Sequence, residues 1–177
     1  ASPSTRSIIT EFNQAFGGRH YVWDPLNHSD LIEGQRLSFG EAVVPHFHFD
    51  KARMIVSIDA DFLGAWHMTV TNNRQFSRAR KNIETMPRFV MFDSNFSLSG
   101  ANADIRFKIK PSQQIKVALG LAAEVVKLGA TFPGGAPARA LLDQHANAAQ
   151  ELGIDAAIFT EVARDLWDNR GQGLVLA

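Results

Sequence analysis

Three short stretches of this 177-residue chain gather side chains that could do chemistry. In His46-Phe47-His48-Phe49-Asp50, two imidazoles and a carboxylate fall at alternate positions. If that segment is extended, all three share one face and could ligate a metal, since imidazole nitrogens and carboxylate oxygens are ordinary zinc donors. As loop residues they would instead steady a turn. Asp59 and Asp61 form a second candidate. Paired carboxylates, one protonated and one ionised, can run acid–base or glycosidic chemistry. An acid at the carboxyl end of a strand also serves to fix a loop or to hold a ribose hydroxyl. The third stretch starts at Asp93 and continues through Ser94, Asn95, Ser97, Ser99, Gly100 and Asn102. Its donors and acceptors could meet a nucleotide or the loop's own backbone.

Several chemistries are excluded outright. The chain has no cysteine, so it has no thiol nucleophile, no disulfide and no thiolate to hold an iron–sulfur cluster. No nucleophile elbow marks a serine triad, and no glycine-rich phosphate loop is present. Gly134-Gly135, between prolines, reads as a surface turn. Arg74, Arg78, Arg80 and Lys81 fall on the polar face of an expected helix, as a solvated or docking face. With a formal net charge of +0, the chain has no electrostatic bias toward nucleic acid or an anionic membrane. No apolar run approaches the ~20 residues that cross a bilayer, so direct membrane insertion is not expected.

The elements that must position these residues follow from periodicity. Ile8, Ile9, Phe12 and Phe16 recur at helical spacing, with Ser4 or Thr5 as N-cap and Gly17-Gly18 as the stop. Tyr21-Val22-Trp23 reads as a short strand closed by Asp24-Pro25, and a helix follows from Ser29 to Gly40. Met54 to Ile58 is an apolar run of the kind buried on both faces of a parallel sheet. A helix over Asn72 to Asn82 leads to a second such strand, Arg88 to Phe92, ending at Asp93. Ile105 to Lys110 alternates as an edge strand does. Gln113 to Leu128 is a helix with Ile115, Ala118, Leu119, Ala122, Val125 and Val126 as its apolar side. A Gly/Pro loop from Gly129 to Pro137, helices over Ala138 to Leu152 and Asp155 to Trp167, and a terminal strand from Gly173 complete the chain. The sum is one α/β domain over residues 1–177: a three-layer, doubly wound, mostly parallel sheet, with abrupt ends that suggest a piece of a larger subunit. Its ligand crevice falls outside the carboxyl ends of the strands, at Asp59 to Trp66 and Asp93 to Asn95.

Val43-Val44-Pro45-His46, the run Lys51 to Trp66, and Ser97 to Asp104 followed by Ile109-Lys110-Pro111 together resemble the molybdopterin oxidoreductase superfamily. Within it they are similar to the large iron–sulfur subunit of alternative complex III, a quinol-oxidising respiratory complex. The resemblance covers most of the chain. It implies a Rossmann-like domain of the formate dehydrogenase and DMSO reductase type, non-catalytic by itself, with iron–sulfur clusters in other domains of the parent. Partners would be those domains and the subunits of a membrane respiratory complex, with the parent membrane-associated and facing the periplasm and this segment soluble. Cofactor-facing roles would fall on Asp59, Asp61, Asp93, Ser94 and Asn95. Catalytic relatives hold a molybdopterin guanine dinucleotide and have an Asp-Pro-Arg turn where this chain has Asp93-Ser94-Asn95. Losing that arginine removes a bidentate phosphate partner, so the resemblance implies a vestigial crevice here.

Overall fold

The computed structural model describes residues 2–24, 27–131 and 134–177. The expected closure at Asp24-Pro25 and the centre of the Gly129 to Pro137 loop lie partly outside these residues. The chain forms two compact units, residues 1–46 and 47–177. In the first, helix α1 spans Pro3–Phe16 and α2 spans Ser29–Phe39. The Ser2 hydroxyl accepts the N–H of Thr5 at 3.2 Å, so Ser2 is the N-cap rather than Ser4 or Thr5. Gly17 (φ 66°) and Gly40 (φ 82°) end the two helices in the left-handed conformation that a side chain resists. Tyr21-Val22-Trp23 is not a strand. It is irregular and exposed, because three apolar residues without a neighbouring strand cannot satisfy their backbone groups as a ladder.

The second unit holds a parallel sheet of β1 (Met54–Ile58), β2 (Arg88–Asp93), β3 (Ile105–Lys108) and β4 (Gly173–Leu176), in the order β3-β2-β1-β4. β1 pairs with β2 from Met54↔Arg88 to Ile58↔Phe92 and with β4 from Met54↔Gly173 to Ser57↔Leu176. The uncharged β1 run is buried throughout, as a central strand covered on both faces must be. β3 is an edge, as its alternation implies, but it stops at Lys108 instead of Lys110, where Pro111 opens a short 3-10 turn.

Helices cover both faces. On one, α3 (Thr69–Ala79) packs with Phe49, Phe62, Phe76, Phe89 and Met91. On the other, Val56, Phe92, Val117, Leu121, Phe159 and Val162 form the core beneath α5 (Gln114–Lys127) and α8 (Ala156–Asp168). The fully buried side of α5 is Val117, Gly120, Leu121 and Ala123; of the expected stripe Val125 packs against the core, whereas Ile115 is 73% exposed. A side chain on Gly120 would collide with Ala148 and stand 3.3 Å from the Phe159 ring. That close approach, rather than hydrophobicity alone, selects the face. The helix expected over Ala138 to Leu152 is two, α6 (Gly135–Asp143) and α7 (Ala148–Leu152), and the break between them lets Ala148 seat against Gly120. A four-residue helix after β2, α4 (Leu98–Ala101), was not legible from periodicity. Arg88 at the start of β2 pairs with Glu161 at 2.8 Å and with Asp165, both on α8.

Candidate functional site

The carboxyl ends of β1 and β2 and the loops after them carry Asp59, Asp61, Asp93 and Ser94. What the carboxylates face is the chain itself. Asp59 has φ 57°, a left-handed conformation that Asp tolerates better than most side chains, and its N–H donates to the Phe92 carbonyl at 2.7 Å. Its Oδ1 accepts the Ser94 N–H at 3.2 Å, its Oδ2 accepts the Ser94 hydroxyl at 3.0 Å, and Gln114 Nε2 also donates to Oδ2. One carboxylate thus ties the ends of β1 and β2 to the first turn of α5.

Asp61 makes a second tie. Its Oδ1 accepts the Ser99 N–H at 2.8 Å and its Oδ2 the Ala65 N–H at 3.2 Å, while the Leu63 N–H donates back to Ser99 Oγ at 3.0 Å. The β1–α3 loop and α4 are therefore latched in both directions. Asp93, 1% exposed, accepts the Ser97 hydroxyl at 3.0 Å, and Ser97 Oγ in turn caps α4 by accepting the Gly100 N–H at 2.9 Å. Arg106 Nη2, on β3, lies 2.6 Å from Asp93 Oδ1, and the guanidinium sits 5.0 Å from the Phe96 ring centroid. Burial of Asp93 is compensated by that cation and by the hydroxyl. Asn95 is exposed.

The loop from Asp59 to Met68 also fills its own ground. Phe62 is fully buried, stacked on Phe49 at 4.4 Å and edge-on to Phe89 at 5.2 Å and Phe76 at 5.5 Å. An aromatic plug holds the segment that, in a dinucleotide fold, makes the open glycine-rich turn.

The other candidates do not converge. Asp50 lies in the 3-10 turn Phe49–Lys51 rather than in an extended strand. His48 Nδ1 is 3.9 Å from Asp50 Oδ1, and among the described residues no group of three His, Asp or Glu side chains could hold a metal ion. Of the basic set, Arg80 is not merely solvated. It caps the end of α3, pairs with Asp104 through Nη1 at 2.9 Å and Nη2 at 2.6 Å, and lies 5.5 Å from the Phe76 ring centroid. Burial raises the Asp104 pKa, but the bond from Arg80 and the 2.7 Å bond from the Phe89 N–H outweigh it and hold that carboxyl below its ordinary value.

Sequence reasoning missed Gln114 and Arg106 as members of this cluster; Ser99 was named among the donors and acceptors of the loop after Asp93, but not as the partner of Asp61. Arg106 carried a usable signal, a charge between Ile105 and Phe107 in an alternating strand. Gln114 carried none, since its role arises only from the placement of the first turn of α5 beside the strand ends.

No family model matches the chain. Over 164 residues it is 24% identical to a protein of Nitratidesulfovibrio vulgaris (strain Hildenborough) described as a menaquinone reductase, molybdopterin-binding-like subunit. The match covers 90% of this chain and 24% of that protein, so the chain spans about a quarter of the length of the curated relative it matches. Among the described residues no helix is long and apolar enough to cross a membrane.

Proposed function

We propose that the chain is a scaffold domain of an electron-transfer subunit of the molybdopterin oxidoreductase type, with no catalytic centre of its own. The observation that carries this reading is that the crevice carboxylates face the chain itself: Asp59 accepts donors from Ser94 and from Gln114 of α5, Asp61 from Ser99 and Ala65, and Asp93 from Ser97, with Arg106 paired beside Asp93. A carboxylate already holding a loop donor is a poor host for a ribose hydroxyl. Arg106, the cation beside Asp93, is paired with that carboxylate through Nη2, which makes it a weaker partner for a phosphate. The residues therefore do not fit a guanine dinucleotide, and the Phe62 plug argues the same way. The weak likeness to a menaquinone reductase subunit supports a parent that exchanges electrons with quinones in a membrane respiratory complex. Alternative complex III is the finer assignment within that class. Iron–sulfur clusters would reside in parts of the subunit that carry cysteine.

The test is elemental and pterin analysis of the full-length parent protein. The expected result is far less than one molybdenum or tungsten per chain, together with iron and sulfide from clusters. Stoichiometric molybdenum with a guanine-dinucleotide pterin would overturn the scaffold reading.

A further inference from the structure

The two edges of the sheet are built differently. β3 carries Arg106 and Lys108, charges of the kind that blunt an edge against further pairing. β4 reads Gly-Leu-Val-Leu, with no charge and no proline, and among the described residues it pairs only with β1. Val175 is 53% exposed, on a strand where apolar residues are otherwise covered. Beside it runs an apolar groove of about 400 Å³, lined by Ile58, Ala122, Val125, Leu166, Trp167 and Val175. Arg170 also lines it, with its guanidinium 3.8 Å from the Trp167 ring centroid.

We infer that the β4 edge and this groove receive a fifth, parallel strand and its crossover helix, supplied by the same longer polypeptide. A strand is the element whose alternating donors and acceptors match those of an open edge. An all-parallel sheet is covered by helices on both faces, and the groove is the uncovered strip beside β4 where the apolar side of a crossover helix would lie. The size of the edge argues for the source. Four residues extend ~13 Å, and at a strand spacing of ~5 Å their edge has a footprint on the order of 60 Å², small against the ~800 Å² per partner that a stable contact between separate molecules buries. A tether replaces that area with effective concentration, so a covalently linked strand can hold where a free one cannot. The matched relative has room for such a strand, since this chain covers 24% of it.

The inference rests on the place of this chain within a larger subunit but not on that subunit's chemistry; a molybdenum-loaded parent would leave it standing. Two measurements on the full-length protein test it. In hydrogen–deuterium exchange of the unaltered protein, the amides of Gly173–Leu176 that point away from β1 should exchange at least ~100-fold more slowly than open-edge amides. In maleimide labelling, a Val175→Cys variant should react at least ~10-fold more slowly than Ile83→Cys, a position 83% exposed. A photo-reactive residue at Val175 should cross-link within its own chain. Fast exchange along β4, equal labelling of the two cysteines, or cross-linking to a second copy or another protein would each overturn the proposal.

Discussion

Gly100 shows how tightly the crevice residues are fitted. A Cβ there would strike Asp93 Oδ2 and come within 3.1 Å of Arg106 Nε and 3.2 Å of Ser97 Oγ. Asp93 is 1% exposed and held by two partners, so it cannot swing aside as a surface carboxylate would. Gly100→Ala is therefore expected to lower stability by about 1–3 kcal/mol, through strain and a disturbed buried ion pair. Denaturant unfolding measures this, and a loss within error of zero would mean the Asp93 pair has more slack than its geometry implies.

At the scale of elements, the Arg80–Asp104 pair joins the end of α3 to the residue before β3 and should make their junction sensitive to acid. Because the folded Asp104 carboxyl sits below its ordinary pKa, its contribution is present at neutral pH and persists down to the usual carboxylate range near ~4. It is lost as pH falls further, through the lowered folded value. An Asp104→Asn variant should show a flatter fall in stability below about pH 4 than the parent, read from thermal unfolding across a pH series. A steeper fall would contradict the sign. Elements were also where the sequence was most readable. Met54–Ile58 and Arg88–Asp93 declare themselves because both faces of a central strand must be apolar, and Gly17 and Gly40 end helices for a reason visible in one residue. The face of α5 was not legible: Val117 and Ile115 are equally apolar, and only the approach of Ala148 to Gly120 decides between them. The crevice was half legible. An acid at the end of a strand can be located from sequence, but whether it meets a ligand or Ser94, Ser99 and Gln114 depends on contacts made across 35 to 55 residues.

At the scale of the whole molecule, the two parts of the sheet differ: its carboxyl ends are tied by internal bonds, whereas among the described residues β4 pairs only with β1. The Asp59 tie has a consequence in time as well. It joins groups 35 and 55 residues apart, and it can close only after β1 and β2 have paired and α5 has docked. Such a bond belongs to the native side of the folding barrier. Asp59→Asn, which keeps tolerance for φ 57°, should speed unfolding and leave the refolding rate nearly unchanged in a chevron experiment. Slowed refolding instead would place the tie in the nucleus. The Asp59 carboxylate then acts as a latch, governing how long the domain, once formed, stays closed.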